Sequence, residues 1–196
     1  MLLSPLLQKK EVFETFPVFS PDGRKLYFCA AEAKPIPAEY KEIRYSLCSI
    51  DFNPEDGTFG EKIDTLVNAA AMKKSISFPR PSYDGEYIMF TLSDYGNFSI
   101  WHKEADLWLL DLKDGGMRPI KEVNSDDTES FHNWSSNSRW FVFSSRRGDG
   151  LYTRLYLASM DENGVVGKPF LLPQENPWEY YDRLVYSCLL YTSPSP

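Results

Sequence analysis

FPVFSPDGRKLYF, residues 16–28, places two short apolar segments on either side of a Ser-Pro-Asp-Gly turn, and this stretch recurs twice along the chain. The copies are FPRPSYDGEYIMF at 78–90 and FHNWSSNSRWFVF at 131–143. All three align without a gap, begin and end with Phe, and have Ser at the fifth position. Each copy predicts strand, tight turn and strand, because short apolar runs bounded by turn residues are typical of buried strands.

The turn in each copy is predicted from side chains that bond to their own backbone. Ser, Asp and Asn can accept nearby N–H groups, and Gly adopts a positive φ at no steric cost. The predicted turn residues are Ser20, Asp22 and Gly23 in the first copy, Ser82, Asp84 and Gly85 in the second, and Ser135 and Asn137 in the third.

A second strand pair follows each copy. Its first strands are predicted at YSLCSIDF (45–52), DLWLLDL (106–112) and RLYLASMD (154–161). Asp-Gly or Asn-Gly then signals a hairpin at 56–57, 114–115 and 163–164. Weaker strands are predicted at 62–67, 118–123 and 168–172. The repeating unit is therefore an antiparallel meander of four strands, which we name A to D.

Three such sheets cannot each bury both faces alone, and radial stacking solves that problem. The predicted fold class is all-β, a partial β-propeller of three four-stranded antiparallel blades. A β-sandwich is the alternative, but it does not require the same hairpin to recur three times. The predicted blades cover about 11–70, 71–124 and 125–176, with an N-terminal segment at 1–10 and a tail at 177–196.

Composition excludes several classes of function. A net charge of −7 argues against a nucleic-acid partner, because phosphate binding requires clustered Lys and Arg. No apolar run is long enough for a transmembrane helix, and the N-terminus lacks the pattern of a signal peptide. The three cysteines have no metal-ligand spacing. Cys29 and Cys48 are interpreted as buried thiols, with a disulfide between them left open.

The motif SPDG at 20–23, its degenerate copies and the aromatic strand after each resemble the TolB-like β-propeller repeat. The family signature, P-x-W-S-P-D-G-x-x-I-x-F, is matched best in the first blade, by Pro17, Phe19, Ser20, Pro21, Asp22, Gly23, Leu26 and Phe28. The third copy has the Trp but lacks the Pro, the Asp and the Gly. The resemblance implies a closed ring of about six blades and a periplasmic or envelope location. It specifies fold far better than function.

The final residues, CLLYTSPSP at 188–196, resemble translated sequencing adapter. We therefore expect the end of the tail, including Cys188, to be non-native. The alternative is an ordinary disordered terminus rich in Ser and Pro.

The candidate binding residues lie on loops at one end of the meander. The B–C loops and the D–A connections meet there, and function in rigid β scaffolds concentrates on such loops. Aromatic side chains beside opposite charges suit a protein, peptide or glycan. The candidates are Tyr95, Trp101, His102, Lys103, Asp126, Asp127, Glu129, His132, Arg146 and Arg147.

The same residues provide little for catalysis. His102 and His132 lack the spacing of a zinc site, and no serine-hydrolase elbow or phosphate loop is present. We expect no catalytic residues, metal or cofactor. The prediction is a non-catalytic protein-binding or scaffolding propeller, and the alternative is the propeller portion of a larger enzyme, associated with a peptidase or similar to a sugar lyase.

Three blades in an open arc leave the outer faces of the first and third blades without a neighbour. Apolar surface and sheet edges would then be exposed. We therefore expect this chain to self-associate through those faces.

Overall fold

The computed structural model describes residues 5–7, 9–177 and 180–181. Blade 1 contains β1 (Val12–Phe19), β2 (Lys25–Glu32), β3 (Ser46–Asn53) and β4 (Thr58–Val67). Blade 2 contains β5 (Ser75–Pro81), β6 (Tyr87–Ser93), β7 (Asp106–Asp111) and β8 (Met117–Pro119). Blade 3 contains β9 (Glu129–Trp134), β10 (Trp140–Ser145), β11 (Arg154–Ser159) and β12 (Phe170–Leu171). Short 3-10 helices lie at Pro5–Leu7, Tyr40–Glu42, Ala70–Met72 and Ser99–Trp101.

Each blade is an antiparallel sheet whose four strands lie side by side in chain order. The fourth strands of blades 2 and 3 are shorter than the sequence predicts. β8 ends at Pro119, and Pro169 stands immediately before β12. Proline has no N–H to donate to a neighbouring strand, so the regular ladder is interrupted there, although the Ile120 N–H still donates to the Leu107 carbonyl oxygen over 2.9 Å.

The first strand of every blade is bent at the Phe that opens the repeated hairpin. Phe16, Phe78 and Phe131 have φ values of 54°, 55° and 46°, in the left-handed region. The pairing register with the second strand shifts at each of these positions, which is the signature of a β-bulge.

The rings of these three residues contact each other across the blades. The Phe78 centroid lies 4.5 Å from that of Phe16 and 4.5 Å from that of Phe131. The first strand of blade 2, β5, therefore lies between β1 and β9, and the sheets radiate from these three strands. Three four-stranded sheets with adjacent first strands form a partial β-propeller.

Two apolar cores lie between the blades. Alternating residues of blade 1, such as Tyr27, Cys29 and Leu47, pack against Ile76 and Phe90 of blade 2. The second core joins blades 2 and 3 through side chains that include Leu107, Leu109, Phe141 and Phe143. Each face of blade 2 is thereby buried, as the radial arrangement requires.

The outer face of blade 1 has cover that the sequence did not predict. Phe28, Cys48 and Ile50 are buried there, and Leu6 and Leu7 of the N-terminal 3-10 helix pack against them. The expectation that this face has no neighbour is corrected, because two leucines of the preceding segment lie on it.

The outer face of blade 3 presents large aromatic side chains to solvent. Trp140 and Phe170 are 43% and 42% exposed, and their ring centroids are 6.2 Å apart. Self-association through this face stays a prediction.

Cys29 and Cys48 are both buried and unbonded to each other. Cys29 belongs to the core shared with blade 2, whereas Cys48 lies on the outer face of blade 1. Burial raises the pKa of both thiols, so both are unreactive at neutral pH. Cys188 and the end of the tail lie outside the described residues.

Candidate functional site

The turns between the first and second strands lie at one end of the blades. Ser20 Oγ donates to Asp22 Oδ1 over 2.6 Å and accepts the Lys25 N–H over 2.9 Å. The Ser82–Asp84 and Ser135–Asn137 turns repeat the side-chain bond, at 2.6 and 2.7 Å. The hydrogen bond from Ser20 is the main cause that lowers the pKa of Asp22. These residues shape the backbone of the turns.

The eighth position of the hairpin is left-handed in all three turns. Gly23 and Gly85 have φ values of 69° and 74°, and Ser138 occupies the same position in blade 3 with φ 56°. A serine in this region carries backbone strain that glycine avoids. The Ser138 Oγ accepts a hydrogen bond from the Asp84 N–H over 3.0 Å, which gives the serine a role between blades.

The other end of the blades brings Trp101, Arg146 and Asp127 together. The Arg146 guanidinium lies 5.0 Å from the centroid of the Trp101 ring. Its Nη2 is 3.3 Å from Asp127 Oδ1. Arg146 and Asp127 are each 8% exposed, whereas Trp101 is 65% exposed. The buried ion pair therefore supports one face of an indole whose other side meets solvent.

Glu129 lies beneath these loops and is fully buried. Its Oε1 accepts from Ser125 Oγ over 2.6 Å and from Ser145 Oγ over 2.8 Å, and Arg147 Nη2 is 3.0 Å away. Burial raises the pKa of Glu129, and the two serines and Arg147 oppose that shift. The Arg147 guanidinium also lies over the ring of Tyr156 at 4.7 Å. Glu129 and Arg147 thus bind each other inside the protein.

Tyr95 and His102 form a second contact on the loops of blade 2. Their ring centroids are 4.0 Å apart, and the Tyr95 ring also meets that of Tyr40 from blade 1 at 5.7 Å. His102 is buried, with Nδ1 3.1 Å from Glu104 Oε1. Lys103, which follows His102 in the sequence, and Asp126, which precedes Asp127, are both exposed. His102 therefore packs within the B–C loop of blade 2, while Tyr95 connects that loop to the B–C loop of blade 1.

His132 is separated from the other candidates by burial between blades 2 and 3. It is 2% exposed, and its Nε2 lies 2.9 Å from the Met89 carbonyl oxygen. Burial lowers the pKa of His132 to about 3 from 6.5. The imidazole is therefore neutral at physiological pH and serves the interface between blades.

The buried His132 predicts a fall in stability on acidification. The unfolded chain binds a proton near pH 6.5 while the folded one does not until about pH 3, so stability falls as pH is lowered through that window. From about pH 7.5 to about pH 5 the free energy of unfolding should fall by about 2 kcal/mol through this residue. Denaturant titrations at both pH values measure it.

The control for this effect is His132→Gln, which keeps a donor for the Met89 carbonyl but cannot take up a proton. The fall between the two pH values should shrink by about 2 kcal/mol in the variant. An unchanged fall would show that His132 is not the group responsible.

Sequence reasoning missed five exposed apolar side chains at the loop end. Eleven large hydrophobic residues are exposed in the described chain, and six of them lie on the B–C loops or D–A connections. These six are Ile36, Met72, Phe98, Trp101, Leu151 and Tyr152. Only Trp101 was among the candidates. The available signal was an apolar residue beside Gly or Asp in a loop, as in Gly150-Leu151.

No group of three or more His, Cys, Asp or Glu side chains in the described residues has a geometry that could hold a metal ion. In the same part of the chain, no helix combines the length and the apolar character needed to cross a membrane.

The fold defines the chain as a partial β-propeller with a loop-end surface, and comparison with known proteins agrees in fold. No protein-family model and no curated protein matches the sequence. An oligogalacturonate lyase in complex with manganese matches 84% of this chain and 43% of its own, with 14% identity and a TM-score of 0.57.

Two further solved structures match more loosely. TolB from Acinetobacter baumannii covers 80% of this chain and 32% of its own, with 18% identity and a TM-score of 0.48. The β-propeller domain of the Trilobed protease from Pyrococcus furiosus covers 85% and 44%, with 17% identity and a TM-score of 0.47. The chain spans less than half the length of each of these three structures.

Proposed function

We propose that this chain is a non-catalytic, protein-binding β-propeller portion of a cell-envelope protein, and that its partner docks on the loop end. The observation that supports this most directly is that six of the eleven exposed large hydrophobic side chains in the described chain belong to the loops of this end. Exposed aromatic residues beside arginine are the composition of binding hot spots in protein interfaces.

Trp101 is the centre of the proposed surface. Its indole is held from below by Arg146, so little side-chain freedom is lost when a partner covers its exposed face. Phe98, 74% exposed, stands three residues before it, and Leu151 of blade 3 is 72% exposed. Tyr95, Lys103 and Asp126 lie on loops at the same end, and we assign them to the polar rim of the proposed surface. A protein or peptide fits this surface better than a glycan, because much of the surface is apolar.

Trp101→Ala should abolish most of the binding. Loss of a hot-spot tryptophan costs about 2 kcal/mol or more, which is about a 30-fold rise in Kd. The immobilised chain is exposed to an envelope extract of the source organism, and Kd is then measured with the purified partner.

The matched control is Trp140→Ala, which removes another exposed tryptophan from the outer face of blade 3. Binding should be retained in that variant, and denaturant titration should find both variants folded. Equal loss of binding in both variants, or in neither, would overturn the loop-end surface.

The alternative function is the propeller portion of a larger enzyme. The match to an oligogalacturonate lyase favours it by fold alone. His102 and His132 are both buried, and neither shares a cluster of metal-ligating residues in the described chain. Lyase activity of this chain on oligogalacturonate with added manganese would favour the alternative, and none is expected.

A further inference from the structure

Two hydrogen bonds close the junction between blades 2 and 3 at the turn end. Trp134 Nε1 donates to the Arg80 carbonyl oxygen over 3.0 Å. The Asp84 N–H donates to Ser138 Oγ over 3.0 Å. Both side chains come from the repeated hairpin of blade 3, at its fourth and eighth positions. They reach back to the backbone of the preceding blade.

The same positions in blade 2 cannot make these bonds. Pro81 stands where blade 3 has Trp134, and Gly85 stands where it has Ser138. Neither side chain has a donor or acceptor, so blade 2 cannot reach back to blade 1 in this way. A cleft of about 840 Å³ opens at this junction, between the turns of blades 1 and 2. That volume lies within the range of small-ligand sites.

The walls of the cleft combine aromatic and charged side chains. Aromatic surface comes from Tyr27, Phe52 and Tyr83, the last 51% exposed. The charged lining residues are Asp22, Asp51 and Asp84 against Arg24 and Lys25. Lys25 is paired with Asp51.

These walls leave an excess of negative charge. Three carboxylates face two cations, and the Ser20 hydrogen bond lowers the pKa of Asp22, which keeps it ionised. Each turn aspartate uses its Oδ1 within the turn. Aromatic faces beside carboxylates attract a guanidinium or an ammonium.

We infer that this cleft binds an arginine or lysine side chain of a peptide segment, at the end of the blades opposite to the loop-end surface. The cation would lie between the aspartates of the two turns, with its aliphatic stem against Tyr83 and Phe52. This site is independent of the proposed function, because the two surfaces share no residue.

The test is amide NMR of the chain titrated with an acetylated, amidated tri-arginine peptide and, separately, with tri-glutamate. Tri-arginine should shift the signals of Gly85 and Asn53, which line the cleft. Signals of Gly96 and Gly150, at the loop end, should stay in place. Equal shifts with tri-glutamate, or tri-arginine shifts confined to the loop end, would overturn the proposal.

Blade 3 supplies variants that remove charge without removing the turn. Asn137 makes the same bonds as the aspartates, accepting from Ser135 Oγ over 2.7 Å and from the Arg139 N–H over 3.0 Å. Asp22→Asn combined with Asp84→Asn should therefore keep the fold and weaken tri-arginine binding about ten-fold. Unchanged affinity in this double variant contradicts the site.

The matched control is Asn137→Asp, which adds a carboxylate at the turn of blade 3. General attraction to an acidic protein would strengthen tri-arginine binding in this variant, whereas a specific cleft predicts an unchanged Kd.

Discussion

Phe78→Ala should lower the free energy of unfolding by about 2 kcal/mol, less than for a Phe in a core because this ring is half-buried. The Phe78 ring contacts Phe16 on one side and Phe131 on the other, each at 4.5 Å between centroids. Its removal therefore breaks the contact between the first strands at both junctions. Phe131→Ala should cost less, since the structure gives that ring an aromatic contact on one side only within the described residues. Denaturant titrations of the unchanged chain, Phe78→Ala and Phe131→Ala measure the three free energies of unfolding and hence their order.

Phe78→Gly provides the control for backbone conformation. Glycine usually destabilises a strand relative to alanine, but φ at this position is 55°, where alanine carries strain and glycine does not. The glycine variant should therefore be more stable than the alanine variant by about 1 kcal/mol. The opposite order would show that the left-handed bulge does not persist in solution.

This bulge is the part of the fold that sequence reasoning could not provide. The repeat predicted hairpins, blades and their order, because turn chemistry and apolar runs are local signals. It did not predict strands that begin at Val12, Ser75 and Glu129, ahead of the repeated Phe. A left-handed Phe is rare, and the ring contacts that hold it come from other blades.

The candidate site residues were predicted from the same local signals, which do not show which residues meet in space or which are buried. Trp101, Asp127 and Arg146 come from three separate segments and meet at the loop end. Glu129 comes from an acidic, polar stretch that reads as solvated loop, yet it is fully buried. Its partner Arg147 lies 18 residues further on, and sequence alone gave no reason to pair them.

The cleft between blades 1 and 2 shows what a repeat can reveal when its copies are compared. The positions of Trp134 and Ser138 are visible in the sequence, and so are their replacements Pro81 and Gly85. The sequence does not show that Trp134 and Ser138 bond to the backbone of the preceding blade, because those two hydrogen bonds join residues 54 apart in the chain. Differences between copies are therefore the best guide to where a repeated scaffold departs from simple packing.

Glu129→Ala should lower the free energy of unfolding by about 3–5 kcal/mol, as expected when one partner of a buried ion pair is removed. The variant leaves the Arg147 guanidinium without its carboxylate, and it deprives the hydroxyls of Ser125 and Ser145 of their acceptor. The double variant Glu129→Gln with Arg147→Met removes both charges. It should be more stable than Glu129→Ala, because no buried charge is left unpaired. The exposed pair of Lys62 and Asp64 is the control, and Asp64→Asn should leave the denaturation midpoint unchanged. If Glu129→Ala were as mild as Asp64→Asn, the carboxylate would have to be free to meet solvent, and Glu129 would return to the loop-end surface as a candidate contact for the partner.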